Sequence, residues 1–312
     1  MNSNPASPKS LLRLLAYPVA VVLLACVMSP PLYWAGNFLA EAGLLKIVEG
    51  FPFHRYFSRS VQISALLLLW PAFRWVGIRR LSELGIDPNR RWRRDLVVGF
   101  LIALLPVLAL GAGYFFTGVY EVRPDCEGAK FLRVAGTACA VSVVEEFLFR
   151  CVFLGLCLMA MGRVAAVSVS AVFFALVHFL KTSKQALEAP VTWLSGFEQL
   201  PLLFSSAPPW PLLGWAFLSL LLAGILLAAG TLRTRSLFLA IGLHAGWIFG
   251  QQGMQVIGRF SMNPADRLLP WVGENVVSGA VPTGVLPLLV LGFTGILIAL
   301  FLRYAARDRQ GV

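Results

Sequence analysis

The chain has 312 residues, of which 58% are hydrophobic and 13% charged, with a formal net charge of +11 and a pI near 10.0. A soluble domain of this length would not be so apolar. The basic excess is not gathered into any one domain, which argues against a nucleic-acid footprint and leaves membrane topology as its reading.

Uncharged runs recur along the chain, at Tyr17 to Ala40, Leu96 to Tyr120, Val164 to Leu180, Pro201 to Leu232, Ser236 to Ile257 and Asn275 to Leu302. Several exceed the ~20 residues that an α-helix needs to cross ~30 Å of hydrocarbon. They predict spans near 14–34, 58–78, 96–118, 134–160, 163–181, 210–231, 236–253 and 282–303. The expected fold is therefore all-α. It is a polytopic membrane protein of about eight transmembrane helices around a polar intramembrane site, one domain over 1–312 with its core at 134–253. Prolines such as Pro71 and Pro106 are tolerable where neighbouring helices satisfy the backbone. The first span follows Lys9 and Arg13 but lacks a small-x-small cleavage pattern, so it reads as a retained signal-anchor.

Six arginines between Arg79 and Asp95 mark that segment as cytoplasmic. Alternation from there places fifteen of the 26 basic residues inside and ten outside, with Arg150 within a span. The expectation is a multi-pass protein of the plasma (inner) membrane, with both termini cytoplasmic and the bilayer as its surroundings. The five cysteines form no C-x-x-C pair and read as small core residues. The two largest outer loops are expected at 182–209 and 254–281. The first carries "EAPVTWLSGFEQLPLLF", amphipathic enough to lie on the membrane or cover a cavity.

One stretch breaks the apolar pattern. In "SVVEEFLFR", residues 142–150, two glutamates and an arginine sit inside an otherwise apolar run. Arg150 follows Glu146 by four residues, the spacing at which helical side chains meet. That pair leaves Glu145 to find partners on other helices, because adjacent helix positions differ by about 100°. Of three histidines, His54 falls in a predicted loop, while His178 and His244 fall in apolar helices. Singly, each histidine could be a satisfied helix contact. Jointly, polar groups buried in lipid need one another, so Glu145, His178 and His244 are expected to converge.

These residues resemble the CPBP family, also called Abi, which includes the type II CAAX prenyl endopeptidases. Its members are eight-helix intramembrane proteases with the motifs E-E-x-x-x-R, F-x-x-x-H and H-x-x-x-N. Glu145, Glu146 and Arg150 match the first motif, Phe174 and His178 the second, and His244 opens the third. The resemblance covers about 134–253. It departs at Ile248, where the family has an asparagine that helps hold the reacting carbonyl or its water. Trp247 and Gln251, three and seven residues after His244, are the possible substitutes on the same helical face.

Peptide hydrolysis needs a general base for water and donors for the oxyanion. The resemblance and the chemistry together imply Glu145 as base, a Glu146–Arg150 pair that holds the helix, and His178 and His244 positioning water or stabilising the oxyanion. The substrate would be a membrane-associated or lipid-modified peptide or protein. A zinc shell of Glu145, His178 and His244 is the alternative chemistry, and the metal-free route is preferred. A transporter, or a non-catalytic scaffold or pseudoprotease, is the competing function, because intramembrane charges also mark ion pathways. No repeated halves of the kind common in transporters are visible.

Overall fold

The computed structural model describes residues 8–84, 86–180, 190–203, 208–261, 268–276 and 281–310. The chain is helical nearly throughout, and each of the eight expected spans is largely helical. Four helices are long and apolar enough to cross a membrane by length and composition. Two compact units emerge, one from residues 1–79 with 177–207 and one from 80–176 with 208–312.

The first unit is built on α1 (Pro8–Glu41), α2 (Phe53–Leu67), α3 (Leu69–Val76) and the short α8 (Ser195–Leu202). Helix α2 buries Phe57, Ser60 and Ser64, a three- and four-residue spacing that makes one face, and packs it on α1. His54, expected in a loop, belongs to the first turn of α2. The span expected over 58–78 is broken at Leu68. Pro71 explains the break, because its ring has no N–H to donate and collides with the carbonyl four residues back. Helix α8 lies in the segment read as a cavity cover. It packs on α1, and a Cβ at Gly196 would collide with the carbonyl of Cys26. Residues 182–189 and 204–207 of that expected loop lie outside the described residues.

The second unit contains α4 (Trp92–Phe116), α5 (Gly128–Glu146), α6 (Leu154–Ala160), α9 (Trp210–Thr234), α10 (Phe238–Ile257) and α11 (Val285–Gln310). It also holds most of α7 (Arg163–Phe179). Between α5 and α6 the chain does not leave the helix but widens into a π-helical turn over Phe147–Phe153. Apolar Leu84, from the arginine-rich connection before α4, is buried against Gly155 of α6.

Among the described elements, α4 and α10 pack together most extensively. Gly242, Gly246 and Gly250 recur every four residues on α10 and so line one face. Added Cβ atoms at Gly242 and Gly246 would strike the carbonyls of Leu96 and Phe100, and one at Gly250 would lie 3.0 Å from Val107. From the other side, a Cβ at Gly99 would lie 2.6 Å from the carbonyl of Leu239. Small residues thus let two backbones meet, which is how helices associate where there is no hydrophobic drive between them. His244 falls between Gly242 and Gly246 in sequence, about 200° around the helix from the first of them. It therefore faces away from α4.

Two antiparallel ribbons stand where the sequence predicted only loop. In the first, β1 (Tyr120–Val122) pairs with β2 (Gly258–Phe260), matching Tyr120 to Phe260 and Val122 to Gly258. It ties the α4–α5 connection to the end of α10. Tyr114, Tyr120, Met254 and Val272 form a buried cluster beneath it. In the second, β3 (Gly273–Val276) and β4 (Val281–Thr283) pair with a register irregularity between Gly273 and Val276.

The α4–α10 contact yields a direct test. Gly246→Ala should lower the thermal unfolding temperature of the purified protein, because overpacking costs about 1–3 kcal/mol. Gly113→Ala, at a helical glycine of α4 with nothing within 4 Å of the added carbon, should leave it unchanged or slightly higher. Equal behaviour of the two variants would refute the close approach.

Candidate active site

Helix α5 delivers Glu145 and Glu146 at its last turn, and α10, packed against it, delivers His244. His244 Nδ1 lies 2.8 Å from Glu146 Oε1, in hydrogen-bond contact. The other ring nitrogen, Nε2, lies 3.9 Å from Glu145 Oε2. One imidazole thus stands between the two carboxylates. The 100° between them is bridged because the ring presents its two nitrogens on different edges and each glutamate has a long, jointed side chain.

Arg150 completes the cluster from the π-helical turn. Its Nε is 3.3 Å from Glu146 Oε2, and the two side chains are 1% and 0% exposed. The i to i+4 pairing read from the sequence is present. Apart from that ion pair, no nitrogen of the guanidinium has a hydrogen-bond acceptor among the described residues. Aromatic faces supply the remaining compensation. The guanidinium carbon lies 4.2 Å from the ring centroid of Phe174 and 5.8 Å from that of Phe149, a contact that gains strength when desolvated. Phe174 also meets His244 edge-on at 6.0 Å. The first residue of the F-x-x-x-H motif is therefore a wall shared by the arginine and the histidine.

An ionised carboxylate can only accept, so the bond to Glu146 suits the tautomer of His244 that carries its hydrogen on Nδ1. In the neutral ring Nε2 then offers its lone pair toward Glu145. Glu146 is buried completely, whereas the Glu145 side chain keeps 27% of its exposure. Within that partly exposed side chain, Oε2, the atom nearest His244, is itself buried. The two atoms 3.9 Å apart are too distant to bond directly.

The other sequence-derived residues fall as follows. His178 is half-buried in the last turn of α7, one turn after Phe174, within the first unit's share of that helix. Trp247, Ile248 and Gln251 are all half-buried on α10. The Trp247 indole N–H is buried and has no acceptor among the described residues, whereas Gln251 carries no such orphaned atom. No three histidine, cysteine, aspartate or glutamate side chains among the described residues are gathered so as to hold a metal ion.

Sequence reasoning missed the bond from Glu146 to His244, which has no local spacing to reveal it. A pair of variants tests its energetics. Glu146→Gln should strand Arg150 and destabilise the protein by about 3–5 kcal/mol, seen as a large drop in unfolding temperature. The double variant Glu146→Gln with Arg150→Met should recover much of that loss. Additive effects of the two changes would mean that the pair is not coupled.

The comparison with known families returns one match. Residues 127–250 fit the family described as type II CAAX prenyl endopeptidase Rce1-like. No curated protein and no solved structure matches the chain. The matched segment contains every residue of the Glu145–Glu146–Arg150–His244 cluster as well as Phe174 and His178. Across residues 127–250, then, this chain is similar to the type II CAAX prenyl endopeptidase Rce1-like family.

Proposed function

We propose that the chain is an intramembrane endopeptidase that hydrolyses a peptide bond near the end of a membrane-associated, lipid-modified substrate, without a metal. The observation that carries this reading is the imidazole of His244 set between a partly exposed glutamate and a buried one. A water held between Glu145 Oε2 and His244 Nε2 would lose its proton to Glu145 as it attacks the carbonyl. The same proton would then pass to the leaving nitrogen. Glu146 orients the His244 ring with Nε2 toward the water, and Arg150 holds Glu146 in place through their ion pair. His178 is assigned to the oxyanion on the strength of its motif. The family match supports a CAAX-type endopeptidase in general; the residue roles and the substrate are this proposal's own.

The missing asparagine calls for another donor near His244. Trp247 is assigned that part, since an indole N–H buried without an acceptor is a costly group to retain for packing alone. The site is assigned to the cytosolic side of a multi-pass protein of the inner membrane whose termini are both cytoplasmic. His244 lies six residues into α10, about 9 Å along its axis from the end that meets the arginine-rich loop.

Cleavage of a farnesylated CAAX peptide in lipid nanodiscs tests the scheme. Glu145→Gln should remove turnover while leaving the unfolding temperature within a degree or two of the natural protein. Trp247→Phe should lower kcat by roughly 10²-fold, the usual loss for one oxyanion donor, with KM little changed. Gln251→Ala should have a smaller effect. Strong chelators should leave the rate untouched. Full activity in Glu145→Gln, or loss on chelation with recovery on added zinc, would sink the mechanism.

A further inference from the structure

The arginine-rich connection before α4 does more than mark a membrane face. Asp87, Pro88, Asn89, Arg90, Arg91, Thr234 and Arg235 line a cleft of about 270 Å³ at the start of α4 and the α9–α10 turn. We propose that this cleft binds a phosphate-bearing ligand, and that the ligand is the headgroup of an anionic phospholipid.

The cleft is held open from both sides. Asn89 Oδ1 accepts from the backbone N–H of Arg91 at 2.9 Å, and its amide nitrogen donates to Asp95 at 2.9 Å and to Ser236 at 3.2 Å. Asp95 and Ser236 are buried, so the loop rests on a fixed floor. Opposite, Arg235 adopts a left-handed backbone at φ 53°, which costs energy for a residue with a Cβ. Its carbonyl accepts from the N–H of Asp87 at 2.8 Å, and its Nε meets the Asp87 carboxylate at 2.5 Å. That contact uses Nε and leaves the outer guanidinium nitrogens with donors to offer.

Charge favours an anion. Three arginines line the cleft against one aspartate. Arg90 has no carboxylate partner among the described residues, and Asp95 beneath is already met by Arg94 at 3.1 Å. Helix α4 begins at the same place and has no side-chain cap on its first N–H groups, which adds a partial positive charge and open donors.

The level of the cleft points to lipid rather than to a soluble anion. Trp92, 40% exposed, opens the apolar α4 beside it, with Arg93 stacked 5.2 Å from its ring and Phe238 at 5.4 Å. Arg94 lies 5.4 Å from the ring of Phe301. Tryptophan and arginine at the end of a long apolar helix mark the headgroup layer, where anionic lipids are concentrated and basic side chains gather them.

Native mass spectrometry of the purified full chain tests this, with phosphatidylglycerol, phosphatidylcholine and inorganic phosphate as probes. Phosphatidylglycerol should be retained in preference to phosphatidylcholine. Arg90→Gln should weaken its retention about fivefold, the worth of one basic residue near a headgroup, and Arg235→Gln at least as much. Arg303→Gln, exposed on α11 and not among the residues that line the cleft, should not. Displacement of the lipid by millimolar phosphate would confirm phosphate as the recognised group. Phosphate binding without phosphatidylglycerol binding would overturn the assignment to lipid. Equal retention by the natural protein and both cleft variants, or an equal loss in Arg303→Gln, would show that there is no site here.

Discussion

A guanidinium 1% exposed within an apolar bundle is the constraint to which the neighbouring side chains answer. Water cannot solvate Arg150, so its charge must be met by the protein. Glu146 meets it with one oxygen and has the other left for His244. Phe174 meets its face and in turn walls the imidazole. Glu146 thus links the arginine to the imidazole. Of the two glutamates, only Glu145 keeps part of its side chain exposed. Two adjacent residues of one type acquire different tasks from their surroundings, not from their chemistry.

Such a cluster works only if the helices carrying it are held to fractions of an ångström. The glycine face of α10 lets it approach α4 until side chains no longer intervene, and this leaves little freedom to slide or rotate. The β1–β2 ribbon and the Tyr114–Tyr120–Met254–Val272 cluster fasten the far end of α10. His244 is therefore placed by contacts on the opposite side of its own helix. A rigid back and a polar front are complementary requirements for a site built from side chains on different helices.

Much of this was legible in the sequence because lipid is an unforgiving solvent. Apolar runs had to be largely helical, and the eight expected spans are, one of them broken at Leu68 and one beginning in a short strand. An ionisable residue within such a run had to have a reason, which singled out Glu145, Glu146, Arg150, His178 and His244 without any geometry. What stayed hidden depended on contacts distant in the chain. The Glu146–His244 bond joins residues 98 apart, and no local spacing encodes it. The ribbons are three or four residues long, too short for strand alternation to register. Asn89 looked like an ordinary loop residue, yet its amide ties the arginine-rich connection to Asp95 and Ser236. The break at Leu68 was foreshadowed by Pro71, whose effect in that span was underestimated.

The π-helical turn at Phe147–Phe153 carries a consequence for how this helix tolerates change in length. A π turn holds more residues than an α turn over similar backbone. It acts as a phase shifter between the half bearing the carboxylates and the half that packs against Leu84. Removing one residue there would let the ladder return to ordinary α spacing with the faces beyond it nearly unchanged, whereas removing one from the regular α-helical part of α5 would turn everything beyond it by about 100°. The faces of α6 would then be aimed wrongly even though composition and hydropathy were preserved. The register of this segment is thus as much a part of the site as the identity of its side chains, and a chain can keep every motif letter and still lose the arrangement by miscounting one position.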